Sequence, residues 1–524
     1  MSKALSSSWE IQKPAVKSER GIVASQNRIA SEVGADVLHR GGNAIDAAIA
    51  TSFALGVVEP WMSGIGGGGY MIIRLAGEPT AKVIEFGMRS PENLEVADYP
   101  ITGGKASDLF PWPSVKEDRN VFGALAVAIP GQVAGMELAS QAFGTMSWQE
   151  LVAPSVALAK KGLTVDWYAQ LILASAAKDL SKYPASKATF LDENGFPKSS
   201  AWTALGSTTC NLTNLAQSLE KICSEGADAF YKGSLAQSII KDLNAAGGRH
   251  TLSDLNNYKA RIVDAASYKY RDHHIFGTPT LTAGPTLQRT LELLESWTPS
   301  GSDPDAASYV AFDRAIRQAS TERFETMGDI EHEPSPSCTT HFSVVDSAGN
   351  MVAVTQTLLS IFGSRLMLPE SGILMNNGIM WFDPELGKPN SLAPSKQCLA
   401  NMCPTLLERA DGTQFALGAA GGRKIMPAVA QLSSLLLDYQ MDLDKAFHTP
   451  RIDVSLADTT IVDDQFSDAL LHEFRQAVEN VETAPRTIYP FNFACPSAVS
   501  RKNTLNTGAT EIMSPWADAV ASSW

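Results

Sequence analysis

Thr339, Thr340 and His341 open a run of β-forming residues, and Thr357 lies near the end of the next such run, within "CTTHFSVVDSAGNMVAVTQTL". A threonine hydroxyl is a weak nucleophile at neutral pH unless a base takes its proton. A threonine at a chain N-terminus carries that base itself, because an α-amine titrates near about 7.7–8. The chain must then be cut immediately before the threonine. Residues 327–338, "MGDIEHEPSPSC", are polar with two prolines, the composition of an exposed, flexible linker open to cleavage. A threonine between such a linker and a core strand can be released without disturbing the core behind it. Threonine is also a common strand-entry residue, and the local pattern alone leaves both readings open.

The segment Asp346 to Asn350, "DSAGN", reads as the turn of a β-hairpin. A five-residue loop pairs Val345 with Met351 and therefore Thr339 with Thr357. A four-residue loop slips the register by one and pairs Thr340 with Thr357 instead. His341 shares a strand face with Thr339. With an α-amine as base, it reads as an orienting or buried structural histidine. Glu331, His332 and Glu333 read as solvated linker.

The elements that must position these residues are legible in part. "NRIASEVGADVLHRGGN" carries Ile29, Val33, Val37 and Leu38 at helical spacing, Gly41-Gly42 stops the helix, and Asn43 caps a second helix from Ala44 to Leu55. Gly66 to Gly69 lead into a strand and permit very close backbone approach. "TAKVIEFGMRSP" reads as a further strand ending in a turn. "TMSWQELVAPSVALAKKG" and "PDAASYVAFDRAIRQAS" mark a mostly helical stretch over about residues 120–320, and no internal repeat is found.

The 524 residues are 44% hydrophobic and 19% charged, as in a globular rather than a disordered protein. A net charge of −14 with no basic patch argues against nucleic acid as a partner. The apolar run Ala44 to Val58 is interrupted by Asp46 and is too short to span a bilayer. The N-terminus has no apolar signal-like stretch, so the expected location is cytoplasmic, with no membrane partner. The six cysteines form no CxxC pair, and His273-His274 has no spaced partner, so neither a disulfide scaffold nor a metal site is expected.

Several motifs follow one another in an order that resembles the γ-glutamyltransferase (glutathione hydrolase) family: "GIVASQNRIASEVGADVLHRGGNAIDAAIATSFALGVVEP", "SGIGGGGYM", "AIPGQVAGM", "TTHFSVVDSAGNMVAVTQTL", "ESGILMNN" and "GAAGGRKI", over roughly residues 20–455. The resemblance implies an α+β fold of the N-terminal nucleophile hydrolase type, a four-layer αββα sandwich. It implies that Thr339 is both autoprocessing residue and nucleophile and that the Cys338–Thr339 bond is the cleavage site. Residues 1–338 and 339–524 would then be a large and a small subunit of one structural domain. Whether such pairs associate into a dimer stays open. Thr357 aligns with the threonine that assists the nucleophile, in keeping with the five-residue loop. Gly421 and Gly422 align with the pair whose N–H groups form the oxyanion hole, a placement that stabilises charge on a tetrahedral intermediate. No cofactor or metal is implied. The partners are a small-molecule amide and water or an amine acceptor.

The substrate-gripping residues of the family are replaced here. Its "FRExAP" arginine falls on Gly87, with Arg89 two residues on, and its asparagine after the second threonine falls on Leu359. A glutamine and an aspartate fall on Gly378 and Trp381, and a serine pair becomes Ala400-Asn401. A γ-glutamyl group presents a carboxylate and an ammonium, and Leu359, Gly378 and Trp381 offer the ammonium no acceptor. The expected reaction is cleavage of a γ-glutamyl or related carboxylate-bearing amide through an acyl ester on Thr339. Arg89, Asn401, Trp381, Gly378 and Leu359 are the candidate substrate contacts. A non-γ-glutamyl amidohydrolase, akin to oxamate amidohydrolases or cephalosporin acylases, is the first alternative. An inactive scaffold is the second, and the retained Thr339, Thr357 and glycine pair argue against it.

Overall fold

The computed structural model describes residues 11–105, 112–201, 203–279, 281–327, 338–455, 458–487, 489 and 491–523. Apart from its end residues, the linker expected over 327–338 lies outside the described residues.

Two seven-stranded sheets dominate. One has the order β1 (Val16–Ser18), β13 (Leu505–Thr510), β12 (Cys495–Lys502), β11 (Gln414–Ala420), β10 (Thr405–Glu408), β7 (His273–Gly277) and β6 (Ala266–Tyr270). The other runs β14 (Asp518–Ala521), β2 (Ile22–Ser25), β8 (Cys338–Val345), β9 (Met351–Leu359), β3 (Gly68–Arg74), β4 (Lys82–Phe86) and β5 (Arg261–Asp264). All their pairings are antiparallel.

The alternation of side chains along each strand explains the layering. Ile22, Ala24, Tyr70 and Ile72 of the second sheet meet Phe276, Leu406, Ala416 and Val499 of the first in one buried cluster between the sheets. Their neighbours Val23, Met71 and Ile73 face the opposite way, into a cluster with α1 (Arg28–His39), α2 (Ala44–Val58), α3 (Gln132–Phe143) and α4 (Trp148–Lys161). Ile275, Leu407, Phe415 and Leu417 face away on the other side, against α5 (Gly284–Leu294), α6 (Ala306–Met327) and α7 (Ile425–Leu437). The result is the expected αββα sandwich.

Asn43 caps α2 in a capping box with Asp46, and α2 is buried along nearly its whole length, as a core helix should be. Among the described residues no helix is long and apolar enough to cross a membrane. The inward face of α1 differs from the expected one. Ile29 is 44% exposed, while Ala30, Ser31, Gly34, Ala35 and Val37 are buried. Small residues let α1 lie close on its neighbours: a Cβ on Gly34 would sit 2.3 Å from Thr51 Oγ1 of α2.

Candidate active site

The hairpin carries the two threonines. Val345 pairs with Met351 and Thr340 with Gln356, the register of the five-residue loop. Asp346 closes that loop, accepting from the N–H groups of Gly349 and Asn350 at 2.9 Å each, and from Ala44 N–H of α2 at 3.0 Å. The ladder departs from the simple register at the candidate nucleophile itself. Cys338 pairs with Leu359, so a bulge falls between Cys338 and Thr340 and Thr339 has no ladder partner. Between these pairs one residue of β8, Thr339, stands opposite two of β9, Thr357 and Leu358, so the extra residue is on β9, and a bulge re-aims the side chains beside it. The Thr339 hydroxyl donates towards Thr357 Oγ1 at 3.5 Å, the outer limit for such a bond.

The glycine run sets the depth of this site. Gly67 and Gly69 of the β3 approach lie so close to β9 that added Cβ atoms would sit 2.3 Å from the carbonyl oxygens of Thr357 and Thr355. Only glycine allows that contact.

Thr357 Oγ1 accepts from the N–H of Leu359 at 2.8 Å. Leu359 adopts φ +86°, a left-handed conformation that a bulky residue rarely takes. Asn377 fixes this bend: its Oδ1 accepts from Ser360 N–H at 3.0 Å, its Nδ2 donates to Ser360 Oγ at 2.8 Å, and its N–H donates to Leu358 O. Asn377→Ala keeps the backbone bond to Leu358 O but removes both side-chain bonds to Ser360, and is expected to lower stability by about 1–3 kcal/mol. The check is a drop in the urea midpoint at unchanged slope.

Two contacts tie the start of β8 to β11 and to the start of β12. The His341 ring packs on Gly418, where a Cβ would lie 2.3–2.7 Å from three ring atoms, and His341 O accepts from Ser497 Oγ at 3.0 Å. One residue earlier, Thr340 Oγ1 donates to Gln26 Oε1 at 2.9 Å, and Gln26 Nε2 donates to Cys495 O at 3.3 Å. Cys495 pairs with Ala420, the residue before Gly421. Thr339 and the Gly421–Gly422 turn therefore lie at the same end of the two stacked sheets. Gly421 and Gly422 have φ of +132° and +60°. Their N–H groups precede the first bond of the following helical turn, Lys424 N–H to Gly421 O, and donate to no described acceptor. Arg451 holds the neighbouring Ala494 carbonyl at 3.3 Å and is ion-paired to Glu511 at 2.6 Å.

Both ring nitrogens of His341 are engaged, by Thr355 Oγ1 at 2.8 Å and Ser343 Oγ at 3.1 Å. Burial lowers its pKa from 6.5 to about 3, and burial likewise takes His250 to about 4. Folded values below the unfolded one give stability that is present above pH 6.5 and lost as pH falls towards about 3. Chemical denaturation across that range is expected to show the loss, and His341→Asn should make it shallower.

The expected substrate contacts divide. Leu359, Trp381 and Ala400 share the apolar cluster between the sheets with Met88, Ile379 and Met380. Gly378 joins them, since a Cβ there would sit 2.8 Å from Ala128 Cβ and 3.2 Å from Met88 Sδ. Among the described residues the buried Trp381 indole N–H has no hydrogen-bond partner. A Cβ on Gly87 would meet Tyr70 Oη at 3.0 Å and Gln397 Nε2 at 3.1 Å, so this bonded pair fills the space an arginine there would need. Arg89 is half-buried, its backbone bridged to Ile129 and Gln397. Asn401 is partly exposed, and the preceding Ala400 O accepts from buried Arg323 of α6 at 3.0 Å. Sequence reasoning did not single out Arg323, Asn377, Gln26 or Glu59. Only the tertiary contacts give them roles.

The family described as Gamma-glutamyltranspeptidase matches this chain over residues 30–338 and 311–515. The chain belongs to that family. Among its relatives, the glutathione hydrolase proenzyme of Pseudomonas sp. (strain A14) is 30% identical over 83% of this chain and 82% of its own length. The acylase ACY 1 proenzyme of Pseudomonas sp. (strain SE83) is 33% identical over 84% of this chain and 83% of its own. Among solved structures, a cephalosporin acylase from Bacillus halodurans superposes with a TM-score of 0.84 at 22% identity, covering 99% of both chains, which establishes the shared fold. This family member is an amide hydrolase or acyltransferase. The proenzyme status of both relatives accords with a precursor that yields two subunits.

Proposed function

We propose that this chain is an autoprocessing N-terminal-threonine amidohydrolase or acyltransferase, with Thr339 as both processing residue and nucleophile. The observation that carries the reading is the bulge of β9 opposite Thr339, where the ladder register shifts and the threonine hydroxyl is directed towards Thr357. In processing, Thr339 Oγ attacks the Cys338 carbonyl carbon and the acyl group moves from nitrogen to oxygen. Water then hydrolyses the ester, leaving a Cys338 carboxylate and a free Thr339 α-amine. Residues 1–338 and 339–524 become the two subunits of one fold.

In turnover the α-amine takes the hydroxyl proton as Oγ attacks the substrate carbonyl, and gives it to the departing amine. Thr357 positions the hydroxyl, and the N–H groups of Gly421 and Gly422 receive the developing oxyanion. Water or an amine acceptor then releases the acyl group.

The substrate is an amide whose acyl part bears a carboxylate, of the γ-glutamyl or a related kind. Within that class the pocket favours acyl groups without an α-ammonium, such as a glutaryl chain. Leu359, Gly378 and Trp381 present apolar surface and one indole N–H donor, and no carboxylate. Arg89 and Asn401 are the polar members of the expected contact set, both partly exposed.

Denaturing electrophoresis with N-terminal sequencing tests the processing step. Two fragments are expected, the smaller beginning Thr-Thr-His-Phe. A single uncut chain after prolonged incubation, or a smaller fragment with another start, would rule this reading out.

A further inference from the structure

One buried carboxyl near the threonines has no part in the steps above. Glu59 caps the C-terminus of α2, its N–H donating to Leu55 O, and it is 3% exposed. Among the described residues no lysine or arginine ion-pairs with it. Its Oε2 lies 3.2 Å from Thr340 Oγ1, which in turn lies 2.9 Å from Gln26 Oε1.

The orientation of Gln26 is fixed by its far end, because Nε2 donates to Cys495 O. The flipped amide would set two carbonyl oxygens against each other. Thr340 therefore stands between two oxygens that accept, and a hydroxyl has a single proton to give. One of the two contacts must take its proton from elsewhere. A protonated Glu59 completes the count: it donates to Thr340, Thr340 donates to Gln26, and Gln26 donates to Cys495 O. Burial acts in the same direction, lifting the Glu59 carboxyl from 4.5 to about 8, with the Thr340 contact opposing it.

We propose that protonated Glu59 is a positioning residue, which through Thr340 and Gln26 locks the start of β8 to the β12 end beside Gly421 and so sets Thr339 against the glycine pair. The inference rests on the reading of Thr339 as nucleophile. The groups that face Glu59 are the Thr340 hydroxyl from β8, the Gln26 amide from the turn before α1, and the Cys495 thiol from β12. That thiol is held undissociated chiefly by burial and by Glu511. Lys13 and Arg451 stand with Glu511 around Cys495. After processing, the Thr339 α-amine is the adjacent titrating group.

Deprotonating Glu59 removes the first proton of the relay and places an uncompensated charge beside the reacting strand. The active form needs a neutral amine and a neutral Glu59, and burial favours the neutral state of both. The rate should rise as the amine loses its proton and fall as Glu59 loses its own. In stability the raised folded value means that the Glu59 contribution is present below 4.5 and lost as pH rises through about 8.

The experiment is the pH profile of kcat/KM for the matured full chain, as wild type, Glu59→Gln and Glu59→Leu, using an amide that the wild type turns over. The wild type is expected to fall about tenfold per pH unit on the alkaline side. Glu59→Gln keeps an N–H donor that does not titrate, so it should lose only about threefold at neutral pH and lose the falling limb. Glu59→Leu should lower kcat on the order of a hundredfold at neutral pH, with KM changed less than about threefold, and should show no falling limb of its own. An unchanged falling limb in Glu59→Gln overturns the proposal even if Glu59→Leu does not fold, as does wild-type turnover by Glu59→Leu. A wild type that neither cleaves itself nor turns over any amide would instead overturn the nucleophile reading.

Discussion

Thr339→Ala is expected to leave the protein as one uncut chain and to lower amide turnover by at least about four orders of magnitude. Alanine removes the oxygen that attacks in both processing and turnover, and without processing no α-amine is formed. Thr339 is only 3% exposed, and among the described residues its hydroxyl makes one long hydrogen bond, so removal of that hydroxyl should leave the fold in place. Circular dichroism and the urea midpoint should therefore match the wild type. Thr339→Ser keeps an attacking oxygen and should still cleave, more slowly. If Thr339→Ala is cut at the same bond as the wild type, a protease does the cutting.

The second large effect concerns the acyl group. A glutaryl amide is expected to exceed the matching γ-glutamyl amide by at least about a hundredfold in kcat/KM. The two differ by an ammonium that would be buried against Leu359, Gly378 and Trp381. An unpaired buried ion costs about 3 kcal/mol or more, which is about a hundredfold in rate. Leu359→Asn tests the cause. Asparagine tolerates the left-handed backbone that Leu359 adopts, and it adds an acceptor. The variant should narrow the preference about tenfold, and relief of the left-handed strain should offset only part of the apolar burial that Leu359 contributes. Equal rates for the two amides with the wild type would show that another group holds the ammonium.

The hairpin, the capped α2 and the glycine run could be read from the chain because each is a local device. Asn43 with Asp46, the Asp346–Asn350 turn and the backbone approach at Gly66–Gly69 need only neighbours in sequence or one adjacent strand. The bulge at Thr339 could not be read that way. It depends on how β9 bends at Leu359, and that bend is held by Asn377, eighteen residues further on. The helical period of α1 misled at Ile29, because the packing surface there selects small residues over large ones. Glu59 was invisible for the same kind of reason. In sequence it is merely the acid before Pro60, and only Thr340 and Gln26, brought from distant parts of the chain, give its proton a place. The substitutions at Gly87, Leu359, Gly378 and Trp381 were visible as departures from a family pattern. The Tyr70–Gln397 pair that fills the space beside Gly87 was not.

The central claim is that an acyl ester forms on Thr339, and trapping that ester tests it most directly. Matured protein mixed with a glutaryl anilide and quenched in acid within the first turnovers should carry the glutaryl mass on the peptide that begins Thr-Thr-His-Phe. The adduct should be labile to hydroxylamine, as an ester is. A glutaryl group on any other residue, or rapid amide turnover with no covalent adduct at Thr339, would contradict the account.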